Sequence, residues 1–267
     1  MYFFEIFFET GFVLHYINKN QLFDTNGALA LTLFIMSCVV ASVASYLLGS
    51  LNFAIIISGK TYKQDIRNFG SKNAGMTNMM RTYGRKAAGL TFLGDTLKAI
   101  ISCLIGYALL GNLGAYIAGT ASVIGHMYPI YYKFKGGKGV VTAAVTMCMC
   151  NPFVFLIVAG LYAIIVGFTR YISLGAVMCM LMYPFILHGV DTWLIPAIQL
   201  GESEPVSGSP YVIFALLIAV LVIYKHKENI KRLREGKESK FVFKKSVKAE
   251  DVIKSDNKAD EQEGADK

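Results

Sequence analysis

The sequence contains no Walker A stretch, no G-x-G-x-x-G and no H-E-x-x-H, which withdraws support from ATP-driven transport, dinucleotide binding and zinc proteolysis. None of its four histidines is followed by aspartate at H-x4-D spacing, and the multi-aspartate signature of metal-dependent CDP-alcohol phosphotransferases is also missing. The five cysteines, Cys38, Cys103, Cys148, Cys150 and Cys179, all lie in apolar segments. Cys148-Met149-Cys150 has no histidine or further cysteine near it, so these thiols read as small packing residues and no metal is expected. Met1 to Leu14 carries two glutamates, no basic n-region and no small-residue cleavage site, which argues against a secretory signal peptide.

What is present is oil-soluble. Hydrophobic residues make up 54% of the 267, above the usual share for a soluble domain, and long apolar runs recur from Ala28 to Tyr224. The expected fold is an all-α integral membrane protein. The net charge of +8 lies in loops between apolar runs and lacks interleaved aromatics, so nucleic acid is not an expected partner. The organisation reads as an interfacial extension at 1–27, a transmembrane domain at 28–245 and a disordered charged tail at 246–267.

Within the domain, Ala28 to Ser58 is the first strong candidate span, and Gly59 to Lys86 reads as a polar loop with seven basic residues and one acid. Ala87 to Leu110 carries Asp95 and Lys98, three apart on one helix face, as an ion pair that either fixes packing or lines a path. Gly111 to Gly114 reads as a tight turn. Asn151-Pro152 interrupts the run from Val140 to Phe168, leaving open a kinked span or a hairpin of two short ones. Charge decides for the hairpin. About twenty of the 26 Lys and Arg then fall at 59–87, 133–138, 170 and 225–245 on one side, while the opposite loops carry only Lys19. The excess of basic residues on cytoplasmic loops gives about seven transmembrane helices, with the N-terminus outside and the C-terminus cytoplasmic. The outer loop at 189–209, with Asp191, Trp193, Glu202 and Glu204, contains no basic residue.

Three polar clusters share the cytoplasmic side. Asn68 to Arg81 combines glycines, small hydroxyls and amides with a terminal arginine, a composition suited to an anionic, oxygen-rich ligand or to capping the next helix. Lys133-Phe134-Lys135-Gly136-Gly137-Lys138-Gly139-Val140 puts three lysines among three glycines and reads either as a phosphate nest or as a basic turn. His226 to Glu238 follows the last span. Helical spacing puts His226, Asn229 and Leu233 on one face, with Lys225, Lys231 and Arg232 directed elsewhere.

Together, G-S-x-N-x-G-x-T-N-x-x-R at 70–81, D-x-x-K at 95–98, G-H-x-x-P-x-x-x-x-F-K-G-G-K-G-V at 125–140, S-L at 173–174 and H-x-x-N-I-x-R-L-x-x-G-x-E at 226–238 resemble the bacterial PlsY family of acyl-phosphate:glycerol-3-phosphate acyltransferases. The resemblance covers roughly 40 to 240 and implies acyl transfer from acyl phosphate to the 1-hydroxyl of glycerol 3-phosphate at the cytoplasmic face of the bacterial inner membrane. It implies Ser71, Arg81, Lys138, His226 and Asn229 as catalytic residues. Gly70, Asn73, Gly75, Thr77, Asn78, Gly136, Gly137, Gly139, Ser173, Arg232 and Glu238 would bind substrate, and Asp95, Lys98 and His126 would line or brace the site. No cofactor is implied. The chain would act as a monomer in the lipid bilayer, with the enzyme that makes the acyl phosphate as a candidate partner. Lys72, Asn52, Ala99 and Gly175 depart from the family's usual glycine, proline, glycine and small hydroxyl residue.

Two other classes compete. A transporter or flippase requires polar residues at mid-depth in several helices, and a structural protein acting through its tail has no use for three polar clusters. Polar groups gathered at one face favour the enzyme.

Overall fold

The computed structural model describes residues 6–194 and 209–241. Among these every regular element is helical, and the tail expected at 246–267 lies outside them, as does most of the loop at 189–209. Four stretches, Gly27–Tyr62, Arg85–Tyr132, Pro152–Thr169 and Ile172–Leu194, are long and apolar enough to cross a membrane, while Val140–Cys150 and Val212–Lys225 are apolar but shorter.

A π-helical turn, Ile6–Thr10, leads into α1 (Gly11–Lys19). Helix α2 (Gly27–Gly49) buries a stripe of small residues, Ala30, Ser37, Ala41, Ser45 and Gly49, and exposes Leu31, Ile35, Val39 and Val43. Small side chains let backbones meet, the packing expected where lipid supplies no hydrophobic drive between helices. A Cβ on Gly49 would strike the backbone of Ser122, and one on Gly125 the carbonyl of Tyr46.

The stretch 59–86 is not one loop. It holds the end of α3 (Phe53–Tyr62), helix α4 (Met76–Tyr83) and the start of α5 (Arg85–Met127). The tight turn expected after Leu110 is a break inside α5, where Gly111 has φ 58° and ψ −142°. Glycine supplies that conformation without steric cost, and Gly106 and Gly114 then pack backbone to backbone. The N-terminal segment docks on this break: Gly11 lies against Gly111, and Phe7 stacks on Tyr107.

Asn151-Pro152 separates two helices, α6 (Val140–Cys150) and α7 (Pro152–Thr169), and Val140 at the start of one and Tyr162 on the other line the same cavity, so the chain turns back here, as in a hairpin. The Asn151 carboxamide caps α7 by accepting from the Val154 amide at 3.1 Å, and proline occupies the first turn, where it removes no helical hydrogen bond. Helices α8 (Ile172–Gly189) and α9 (Val212–Lys225) complete the apolar core with Tyr183, Leu187, Ile218 and Val222. Short α10 (Lys227–Arg234) follows directly, and Gly236, at φ 67°, turns the chain back so that the Phe241 amide donates to the Arg170 carbonyl at 2.8 Å.

Candidate active site

Polar residues from distant parts of the chain meet around a cavity of about 160 Å³. The loop before α4 contributes Ser71, Asn73 and Gly75, with Thr77 and Arg81 from α4 itself. Lys138 and Gly139 enter from the glycine-lysine loop, Ser173 from the start of α8, His226 and Asn229 from the α9–α10 junction, and Glu238 from the returning strap.

Glu238 ties this wall together. One carboxylate oxygen accepts from Ser173 Oγ and Asn229 Nδ2, both at 2.7 Å, and the other from Arg232 Nε at 2.8 Å. Burial pushes its carboxyl up, but the bonds from Arg232, Asn229 and Ser173 outweigh that and hold it below the ordinary carboxylate range. Arg232 therefore braces the site's wall, although helical spacing from His226 and Asn229 directs it elsewhere, and it is not itself among the cavity-lining residues. The Lys138 ammonium donates in turn to Asn229 Oδ1. Burial first, then the cationic neighbours Arg232 and Arg81, bring Lys138 down to about 8, with Glu238 opposing.

His226 is 2% exposed and its Nδ1 lies 2.7 Å from the Val222 carbonyl. A carbonyl only accepts, so Nδ1 carries the proton and Nε2 of the neutral ring is an acceptor. Burial and the nearby Lys138 charge lower this imidazole to about 4.

The glycine-lysine loop is clamped from outside. Arg67, held by Asp65 at 2.6 Å, donates to the carbonyls of Tyr132 and Lys135, both at 3.1 Å. The hydrogen bond from Arg67 keeps the Asp65 carboxyl below its ordinary value. Below the loop, Lys98 Nζ sits 2.8 Å from Asp95 Oδ1, 2.9 Å from His126 Nδ1 and 2.8 Å from the Leu51 carbonyl.

Gly136 and Gly137 are not among the residues lining the cavity. The Gly137 amide donates to the His126 carbonyl at 3.1 Å, and a Cβ on either glycine would strike His126, so these glycines permit close packing. Gly139, at φ 75°, does line the cavity. Asn78 is fully buried and braces its own loop: its amide donates to the Ile66 and Phe69 carbonyls at 3.2 and 2.9 Å, and its oxygen accepts from the Ser71 amide at 2.8 Å. Gly70, at φ 56°, packs against that same side chain. Asp95 and His126 reach the cavity wall, whereas Lys98 lies behind it.

Tyr162 was not singled out from sequence, because an aromatic in an apolar run carries no distinguishing signal. With Met76, Val140 and Val141 it belongs both to the polar cavity and to an adjoining apolar groove of about 450 Å³ between α5, α6, α7 and α8. The site is thus amphipathic: cations and hydrogen-bond donors open onto a hydrocarbon-lined channel.

The family model for glycerol-3-phosphate acyltransferase matches residues 39–236. The chain belongs to the glycerol-3-phosphate acyltransferase family. A member from Thermoanaerobacter pseudethanolicus is 40% identical over 213 residues, covering 80% of this chain and all of that one. Another from Burkholderia pseudomallei is 35% identical over 216 residues, covering 80% of this chain and all of the relative. Crystal structures of PlsY (YgiH), an integral membrane glycerol 3-phosphate acyltransferase, match as well. Its glycerol 3-phosphate form has TM-score 0.66 at 34% identity, covering 77% of this chain and 96% of that one. Its lysophosphatidic acid form has TM-score 0.63 at 33% identity over the same shares. The cavity and groove described above lie within the matched region, as do all the site residues but Glu238 and its neighbour Ser239.

Proposed function

We propose that this protein transfers a fatty acyl group from acyl phosphate to the 1-hydroxyl of sn-glycerol 3-phosphate, giving lysophosphatidic acid and phosphate for phospholipid synthesis. The observation that carries the reading is the junction at Met76, Val140, Val141 and Tyr162, where the cationic cavity meets the apolar groove. An acyl phosphate is such a molecule, an anionic head on a hydrocarbon chain, and glycerol 3-phosphate is a second small anion.

Arg81, Lys138 and Ser71 hold the phosphates, Ser173 joins the donor site, and His226 and Asn229 orient the acceptor. The acceptor oxygen forms a bond to the acyl carbon, the bond from that carbon to the phosphate oxygen breaks, and the hydroxyl proton moves to the departing phosphate. Phosphate is already a good leaving group, so a covalent acyl-enzyme is unnecessary. His226, near 4 in the free protein, is a weaker proton acceptor than a phosphate dianion, whose second pKa is about 6. It therefore accepts a hydrogen bond from the hydroxyl and aims it, while the donor phosphate is the base. Positioning and charge stabilisation supply most of the rate.

The topology that fits is seven passages through the bacterial cell membrane, N-terminus outside, with the site at the cytoplasmic face and the chain acting as a monomer. The basic residues clustered around the site support that orientation. The donor is tested by supplying purified protein with glycerol 3-phosphate and either palmitoyl phosphate or palmitoyl-CoA. Product from palmitoyl phosphate alone is expected; product from the thioester alone contradicts the proposed donor.

A further inference from the structure

The apolar groove has a definite depth. Helix α6 runs away from the polar cavity and α7 returns to it. Val140 and Val141 on α6 and Tyr162 on α7 mark the near end, and Cys148, Met149 and Phe155 line the groove farther along these two helices. Phe92 and Ile100 on α5 line it as well. At a helical rise of about 1.5 Å, Val140 to Met149 covers roughly 13 Å and Tyr162 to Phe155 roughly 10 Å. A fully extended chain advances roughly 1.2 Å per bond. The groove therefore takes about eight to eleven carbons beyond the reacting carbonyl.

We propose that Cys148 and Phe155 form the threshold that gauges acyl-chain length, an inference that rests on the groove holding the acyl chain as read above. An octanoyl chain ends before the threshold, whereas a palmitoyl chain must pass it and continue among neighbouring lipids. Discrimination here is steric. A methylene leaving a bilayer for an apolar groove gains little by transfer, since both surroundings are hydrocarbon, so the fit at the threshold decides whether a long chain is accepted. Both residues are partly buried, and Phe155 packs against the core at the start of α7, where the Asn151 cap and Pro152 fix the backbone. The threshold is thus made of side chains on rigid helix.

The test is binding of octanoyl and palmitoyl lysophosphatidic acid, each at equal mole fraction in detergent, to wild type, Cys148→Trp and Phe155→Ala. Using product frees the result from the identity of the donor, so failure of acyl phosphate to act as donor leaves the chain-length ratio readable. Cys148→Trp, which adds bulk at the threshold, is expected to lower the palmitoyl-to-octanoyl affinity ratio about tenfold, within the range that a hydrophobic pocket can enforce. Phe155→Ala is expected to raise the ratio. Unchanged glycerol 3-phosphate affinity shows that each variant retains the fold, and if the tryptophan variant loses it, the alanine variant decides. Parallel shifts for both chain lengths, or none for either, overturn the proposal.

Discussion

The Gly137 amide donates to the His126 carbonyl at 3.1 Å, and the glycine lies directly against the imidazole. The loop bearing Lys138 is thus seated on a histidine that Lys98 holds from the other side. A Cβ at Gly137 would also lie 2.5 Å from the Ala74 carbonyl oxygen, and backbone yields little. Gly137→Ala is therefore expected to lift the loop and move Lys138. Displacements of about 1 Å can cost about 100-fold, so kcat/KM for glycerol 3-phosphate should fall by that order. Activity within threefold of wild type contradicts the seating role.

Asp95 and Lys98 are 1% and 3% exposed, so neither charge has water to fall back on. Lys98→Met strands the carboxylate, and breaking a buried pair costs about 3–5 kcal/mol. Thermal unfolding in detergent should show a large loss, partly recovered in the Asp95→Asn/Lys98→Met double variant. Additive losses from the two substitutions would mean that the residues are not coupled.

Lys138, near 8 where an ordinary lysine is 10.5, carries its charge at neutral pH and loses it as pH rises through 8. Phosphate binding that depends on this charge should weaken above that point, with KM for glycerol 3-phosphate rising about tenfold per unit. Lys138→Arg stays charged throughout, so its KM should show no such rise. The linkage to stability has the opposite sense. Between pH 8 and 10.5 the unfolded chain holds the proton that the folded chain has released, so this residue makes stability increase with pH there.

His226 is neutral in the free protein above about pH 4. The kcat/KM profile should consequently be free of a histidine inflection between pH 5.5 and 7.5. His226→Gln, which keeps a hydrogen-bonding group, should reduce turnover by about 10- to 100-fold without abolishing it, less than the roughly 10²–10⁴-fold that a general base contributes. Complete loss across the pH range, with donor binding intact, would assign the base to His226.

Much of this architecture is legible in the sequence for local reasons. Proline at 152 forces the helix break it announces, glycine at 111 allows the turn, and the polar clusters stand together because each lies next to an apolar run. Long-range effects are not legible. Arg232 joins Glu238 because the junction at His226 resets the helical phase and Gly236 folds the strap back. That Gly136 and Gly137 pack against His126, which leaves no room for a side chain at either, is likewise not visible in their spacing. The Asp65–Arg67 clamp reaches carbonyls 65 to 68 positions away in the chain, beyond any spacing rule. Asn52, where proline is usual in the family, caps α3 through the Ile55 amide at 3.1 Å and donates to the Ala74 carbonyl at 3.2 Å, two bonds proline cannot make. Lys72 has φ 56°, a left-handed conformation that explains why glycine suits that position.

The most direct test of the account is phosphate release by the purified, detergent-solubilised protein from palmitoyl phosphate, with and without glycerol 3-phosphate, comparing wild type with Lys138→Ala. Acceptor-dependent release matched by lysophosphatidic acid in wild type, and lost in the variant, is the expected result. Acceptor-dependent release that persists undiminished in Lys138→Ala, or none from folded wild type across several chain lengths, would contradict it.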